Sequence, residues 1–175
     1  MNFPALLRGA RRLHPMAMLA VAALEGMASA AVAAPPMRIE GMTFVASTGP
    51  VTELLVAADE ADVDIAGNRA ELEAVHAEWT GADGRASLAL RCERGEFDLA
   101  TNDLVAIGDV RGRLGDGREF RAPWLRYDRA KGVAFTDAPV LIVDQGRQLR
   151  GGGLRYHVRD RRLRLTAGAS VREPK

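Results

Sequence analysis

Three stretches of the chain share one pattern, in which a Gly-Arg pair is followed by an aromatic residue about ten positions later and by a closing valine. The stretches begin at Gly84, Gly117 and Gly146 and close at Val110, Val140 and Val171. The closing valines lie 30 and 31 positions apart, a period that is typical of a supersecondary unit stacked on copies of itself. Each unit reads as two short strands with a turn. The repeat therefore predicts an all-β protein and favours a scaffold or carrier over a catalyst.

Short runs in which apolar and polar residues strictly alternate indicate half-buried strands. Such runs occur at 62–65, 87–91, 133–135 and 162–165. Turn signals lie between them at 81–84, 115–117, 144–146 and 151–153. Asp83-Gly84 and Asp116-Gly117 are strong hairpin dipeptides. Strands of about five to seven residues, spaced about 8–12 residues apart, suggest a sandwich, a jelly roll or a solenoid.

One segment, 68–79, fits two secondary structures. Asn68 to Glu71 has the look of a capping box, and Leu72, Val75 and Trp79 have helical spacing. The alternative is a strand in which Ala70, Leu72 and Ala74 share one face, with a slip before Val75. Because the segment also resembles an earlier, degenerate copy of the repeat, we favour the strand.

The first 36 residues have the order of a secretory signal peptide. Three arginines precede a short apolar run at 16–24, and small-residue cleavage patterns at 28–33 precede Pro35-Pro36. The alternative is an uncleaved anchor helix over 16–34, in which Glu25 would cost about 2.5–3.5 kcal/mol. In both cases we expect residues 1–36 to be a signal peptide or membrane anchor, and residues 37–172 to form the exported domain.

Charge is unevenly distributed along the exported part. Residues 37–109 contain 5 Lys and Arg against 15 Asp and Glu, whereas residues 110–175 contain 16 against 7. This asymmetry fits head-to-tail contact between modules, or a basic end near an anionic ligand. Cys92 is the only cysteine, so an internal disulfide is impossible and a buried thiol is expected.

No catalytic arrangement emerges from the residue pattern. His76 and Glu78 share a strand face, but no third ligand is evident, so no metal site is assigned. No nucleophile elbow, Ser-His-Asp ordering or Gly-rich phosphate loop is present. We therefore expect no enzyme and no cofactor, and the lack of a nucleic-acid-reading motif argues against a nucleic-acid partner.

The order of short motifs along the repeat also resembles a known family. A Gly-Asp-Val at 108–110 is followed by Asp116-Gly117, by Leu125-Arg126-Tyr127-Asp128, by Pro139-Val140 and by Gly151–Leu154. This ordered succession over residues 38–171 is similar to the OstA-like lipopolysaccharide transport proteins, and within them to the LptC-like members, with an LptA-like soluble bridge protein as the alternative. The resemblance implies an open, twisted β-jelly roll of two antiparallel sheets.

The resemblance further implies a periplasmic protein that receives lipopolysaccharide from the jelly-roll domain of an inner-membrane ABC exporter and passes it to an LptA-like bridge protein. Its inner face would hold the acyl chains. The expected lining residues are Val63, Ile65, Leu72, Leu88, Leu90, Phe97, Ile107, Phe120, Phe135, Ile142 and Leu165. A structural β-repeat module without lipid is the competing hypothesis from another functional class.

Edge strands would join the neighbouring modules by strand addition. The first strand, at 42–45 with Phe44 and Val45, would meet the exporter, and the last, with Leu163, Leu165 and Val171, would meet the bridge protein. The anionic head of the lipid would stay at the rim, where arginine suits phosphate. The candidate rim residues are Arg118, Arg121, Arg126, Arg147 and Arg150.

Overall fold

The computed structural model describes residues 36–48 and 51–173, and this part of the chain contains ten β-strands and no helix. Eight of the strands are 10–14 residues long, and two are short. The strands are β1 (Met37–Thr48), β2 (Val51–Asp64), β3 (Arg69–Thr80), β4 (Ala86–Asp98), β5 (Leu104–Leu114), β6 (Glu119–Asp128), β7 (Val133–Thr136), β8 (Val140–Asp144), β9 (Arg147–His157) and β10 (Arg162–Arg172).

All ten strands belong to one antiparallel sheet in which neighbours in sequence are neighbours in space. The order is β1-β2-β3-β4-β5-β6-β7-β9-β10. The short strand β8, like β7, lies between β6 and β9 and pairs with both. Among the described strands, β1 pairs only with β2, and β10 pairs only with β9. The sheet therefore does not close into a barrel, and β1 and β10 are its two edges.

A line of irregularities crosses the middle of the long strands. Positive φ angles occur at Gly41, Ala74, Gly108 and Gly168. The pairing register shifts close to the same line, in β4–β5, β5–β6 and β9–β10. β-Bulges bend strands and increase their twist, so the sheet folds over on itself along this line.

The fold line divides the sheet into two halves. We call half one the set 42–48, 51–58, 75–80, 86–92, 110–114, 119–122, 140–144, 147–151 and 169–172. Half two is the set 37–40, 60–64, 69–73, 94–98, 104–107, 124–128, 133–136, 153–157 and 162–166.

Aromatic contacts show that the two halves pack face to face. The ring of Phe44 in half one lies 4.5 Å from the ring of Phe97 in half two, centroid to centroid. Trp79 in half one meets the edge of Tyr127 in half two at 5.0 Å. A single sheet thus supplies both layers of a jelly roll, and the two sheets expected from the sequence are the two halves of one continuous sheet.

Polar contacts hold one end of the two layers together. The Tyr156 hydroxyl of half two donates to the Ser87 carbonyl oxygen at 2.8 Å, and the Ser87 hydroxyl donates to the Val158 carbonyl oxygen. Ser87 is fully buried and Tyr156 is 1% exposed. At the surface of this end, Arg161 pairs with Asp83 at 2.8 Å. The hairpin turns of both halves are therefore linked at this end.

Most of the local predictions are confirmed. The turns at 81–84, 115–117 and 144–146 join consecutive strands as hairpins, and segment 69–80 is the strand β3. The slip in β3 is also present, but it lies one residue earlier than expected, because Ala74 is exposed at φ 53° while Val75 is buried.

Two local predictions are wrong. Strands of five to seven residues were expected, but the bulges at the fold line interrupt the alternation without ending the strands, so most strands are about twice as long. The sequence predicts a bulge or turn at the glycines 151–153; the turn is wrong, because they lie inside β9, but they do lie opposite a bulge, between Thr166 and Ala169 of β10. There a Cβ on Gly151 would meet the side chain of Leu165 at 2.9 Å, so close packing between strands explains these glycines.

Candidate functional site

The interior between the two halves is an apolar chamber lined from every long strand. Eight of the eleven residues predicted to line it point into it, and seven of these are at most 8% exposed. The seven buried residues are Val63, Leu72, Leu88, Leu90, Phe97, Phe120 and Ile142. Leu165 is half-buried and packs against this core from the edge strand β10. These eight residues therefore face the interior, and their contact with lipid stays a prediction.

The inward orientation predicted for Ile65, Ile107 and Phe135 is wrong. Ile65 follows the end of β2 and is 69% exposed in the turn. Ile107 lies immediately before the bulge in β5 and faces outward, opposite Arg94. Phe135 is paired with Arg126 and Arg155, and the Arg155 guanidinium lies 5.6 Å from its ring.

Sequence reasoning missed the residues that close the chamber. Leu54, Val56, Trp79, Leu104, Leu125, Tyr127, Leu154 and Tyr156 are all less than 8% exposed. The signal that could have found them was alternation counted over long strands with one slip at the bulge. A window of five to seven residues is too short to contain such a strand.

The chamber is filled by the side chains of the protein itself. Its largest members, Trp79, Tyr156, Phe97 and Phe120, are each at most 1% exposed. The indole Nε1 of Trp79 is buried and has no acceptor among the described residues. Burial raises the pKa of the Cys92 thiol and also that of the Tyr127 hydroxyl. The interior is thus mainly aliphatic and aromatic, and the Trp79 Nε1–H is a buried donor without an acceptor among the described residues.

The chamber is open at the distal half of β10. Leu163 and Leu165 pair with Tyr156 and Leu154 and are half-buried. Beyond the bulge every residue from 167 to 173 is exposed, and Val171, which pairs with Leu149, is 64% exposed. Because no strand of half two covers Val171, the inner face is accessible at this edge.

The opposite edge strand, β1, presents a different surface. Phe44 turns inward against Phe97, whereas Val45 faces outward and is 50% exposed. Met37, at the start of the same strand, is also 50% exposed. Both predicted edge strands are therefore edges of the sheet, and each carries exposed apolar side chains beside backbone groups without a neighbouring strand.

The outer face is charged, and its polar groups form ion pairs. Arg38 binds both carboxylate oxygens of Asp62 at 3.0 and 2.9 Å, which lowers the pKa of that carboxyl. Among the rim arginines, Arg118 is held by Asp116 and Arg126 by Asp103. No ion pair among the described residues includes Arg121, Arg147 or Arg150.

His76 and Glu78 do share an exposed face, and the imidazole Nε2 lies 3.1 Å from the carboxylate. Within residues 36–48 and 51–173, no group of three His, Cys, Asp or Glu side chains could hold a metal ion. In the same residues no helix has the length and apolar character needed to cross a membrane.

The fold and the interior define a class of protein, which is an open β-jelly roll that encloses an apolar chamber between two free strand edges. The family described as "Lipopolysaccharide-assembly, LptC-related" matches residues 37–172, and the chain therefore belongs to the LptC family. Its members are transport proteins, and membership makes this chain a periplasmic component of lipopolysaccharide transport.

Among solved structures, the fold is similar to LptH of Pseudomonas aeruginosa, which is described as the LptA-homologous periplasmic component of the lipopolysaccharide transport device. The TM-score is 0.55 at 10% identity, and the match covers 70% of this chain and 95% of that chain. At this identity the likeness supports the jelly-roll fold. Among curated proteins no relative is found.

Proposed function

We propose that this protein holds the acyl chains of lipopolysaccharide between its two half-sheets, receiving the lipid from the inner-membrane ABC exporter and passing it to an LptA-like bridge protein. One observation carries the proposal, which is the apolar chamber that opens beside Val171 at the β10 edge. Each buried methylene contributes about 0.8 kcal/mol. Exposure of several acyl chains to water would therefore cost tens of kcal/mol, so a lipid in transit needs an apolar enclosure.

Loading requires the two halves to separate, because protein side chains fill the chamber. The halves are joined by packing across the fold and by the polar contacts around Ser87 and Tyr156, whereas the distal half of β10 has no partner strand in half two. We expect the chamber to open first beside β10, where the fewest contacts are broken. The buried Nε1–H of Trp79 would gain an acceptor from the ester or amide carbonyls of the lipid.

The two sheet edges fit partners that add a strand. β10 offers unpaired backbone groups next to the open end of the chamber, so a bridge protein docked there would extend the apolar slot without a gap. β1 would pair in the same way with the jelly-roll domain of the exporter. Residues 1–36, which lie outside the described residues, would deliver the domain to the periplasm and would, if uncleaved, hold it at the inner membrane.

Site-specific photocrosslinking tests the proposal, and the chain provides a matched control. A photoreactive amino acid at Phe97, inside the chamber, is expected to form an adduct with lipopolysaccharide in cells. The same amino acid at Phe135, on the outer face, is expected to form none. If the bulky group at Phe97 prevents folding, Leu165 at the edge of the chamber is the substitute position.

Two results would refute the lipid-carrier function. Equal crosslinking from Phe97 and Phe135 would place the lipid on the surface. Absence of any adduct from Phe97 and Leu165 in a folded protein would favour the structural β-repeat module.

A further inference from the structure

The outer face of half one carries a row of cationic side chains in direct cross-strand register. His76 of β3 pairs with Arg91 of β4, Arg91 pairs with Arg111 of β5, and Arg111 pairs with Arg121 of β6. The row continues through Leu141 of β8 to Arg150 of β9. We call these six residues, His76, Arg91, Arg111, Arg121, Leu141 and Arg150, the arginine row.

Like charges that face each other directly across strands destabilise a sheet. The row places three guanidinium groups side by side; among the row residues, His76 contacts Glu78 and Arg111 contacts Asp109. Asp109 forms an ion pair with Arg111, and the charges of Arg121 and Arg91 also help to lower the pKa of its carboxyl. Within the described residues no ion pair is formed by Arg91, Arg121 or Arg150. The excess positive charge therefore lies between Arg91 and Arg150, where a bound anion would neutralise it.

The row lies in surface depressions and not on a ridge. The depression at the His76 end also contains five carboxylates, so it does not favour an anion; they are Asp59, Glu60, Glu73, Glu93 and Asp109. A second depression joins Arg91, Arg111 and Arg121 and contains one carboxylate, Glu119. A third lies beside Arg121 and Arg150 and contains one carboxylate, Asp109. Five strand spacings of about 4.8 Å give the row a length of about 24 Å, and its cationic part runs from Arg91 to Arg150. Depressions along this part fit linked anionic groups better than a flat bilayer, which contacts protruding side chains.

The end of the row lies at the opening of the chamber. Arg150 pairs with Ser170 of β10, and the next residue, Val171, is the exposed inward-facing residue at the open edge. A lipid whose acyl chains enter the chamber here would leave its polar portion on the outer face beside Arg150. Arginine suits phosphate because its planar fork can donate two parallel hydrogen bonds.

We propose that the arginine row is a binding track for the phosphorylated sugar portion of lipopolysaccharide. This assignment deepens the lipid-carrier function proposed above and rests on it. The acyl chains and the phosphorylated sugars would then be held on opposite faces of the same half-sheet, with the β10 edge between them.

The test uses fully deacylated lipopolysaccharide that retains its phosphates, and its dephosphorylated counterpart, with binding to the exported protein measured by calorimetry. The double variant Arg91→Gln, Arg121→Gln removes the two central row arginines that have no carboxylate partner. The control Arg155→Gln, Arg164→Gln removes another exposed cross-strand arginine pair, on half two, and changes the net charge equally.

We expect the phosphorylated sugar to bind the wild type and the control within about twofold of each other. It should bind the row variant at least about tenfold more weakly, because that variant loses charge-assisted hydrogen bonds to phosphate. Removal of the phosphates should weaken binding to the wild type by a similar factor. Equal losses in the row and control variants would show a net-charge effect and overturn the assignment. Preference for vesicles of anionic phospholipid, with no binding of the sugar, would overturn it in favour of a bilayer surface.

The crosslinking experiment from Phe97 separates this inference from the function on which it rests. Crosslinking to acyl chains without binding of the deacylated sugar refutes the arginine row alone. Binding of the sugar without any acyl adduct refutes the lipid-carrier function and with it the role of the row in carrying this lipid.

Discussion

Replacement of Tyr156 by phenylalanine should destabilise the protein by separating its two half-sheets at one end. The Tyr156 hydroxyl donates to the Ser87 carbonyl oxygen across the interior at 2.8 Å, and both residues are at most 1% exposed. Removal of the hydroxyl leaves that carbonyl buried without this donor. Such an unsatisfied group costs about 1–3 kcal/mol.

The size of this loss can be converted into a melting temperature. An unfolding entropy of about 2.1 cal/mol/K per residue gives about 0.3 kcal/mol/K for a domain the size of residues 37–172. Tyr156→Phe should therefore lower Tm by about 3–10 °C. Calorimetry gives Tm directly, and urea unfolding gives the free energy independently.

Tyr127→Phe is the matched control for this substitution. Tyr127 is also buried and packs against Trp79, but its hydroxyl forms no hydrogen bond within the described residues. It should change the free energy of unfolding by less than about 0.5 kcal/mol. Equal effects of the two substitutions would refute the view that the Ser87–Tyr156 contact joins the halves.

Two substitutions and one labelling measurement test the interior and the turns. Phe97→Ala should cost about 3–5 kcal/mol in urea unfolding, because it leaves a cavity against Phe44; a loss below about 1 kcal/mol would place Phe97 outside the core. Asp98 accepts a hydrogen bond from the backbone N–H of Thr101, which lowers the pKa of its carboxyl. The carboxylate therefore stabilises the fold at pH values above its unfolded pKa of about 3.9. This contribution is lost as the pH falls through the lower pKa of the folded state. The stability difference between wild type and Asp98→Asn should therefore shrink below about pH 4, and a difference constant with pH would contradict this. Cys92, 8% exposed and with a raised pKa, should react with a thiol reagent at pH 8 much more slowly in the folded than in the unfolded protein; rapid labelling of the folded protein would show that the interior opens readily without lipid.

The sequence alone determined the fold class and the positions of three hairpin turns. Asp83-Gly84 and Asp116-Gly117 are turns because these dipeptides adopt the backbone angles that a tight hairpin needs, and the three Gly-Arg pairs that open the repeat lie at the turns that precede β4, β6 and β9. The same pattern, read as a resemblance, pointed to the family that the comparison of residues 37–172 establishes. These features are local, so they can be recognised without knowledge of which strands meet.

Only the tertiary structure decided which side chains share the interior. A one-residue shift reverses the face of every side chain that follows it, and the buried alternation does reverse in the middle of β3, at Ala74, and of β4, at Arg94. Ile107 and Phe135 face outward because their cross-strand partners, Arg94 and Arg126, lie on the outer face. The fold line, the contact of Ser87 with Tyr156 and the arginine row all depend on strand register across the whole sheet, which is fixed by pairing between residues that are distant in sequence.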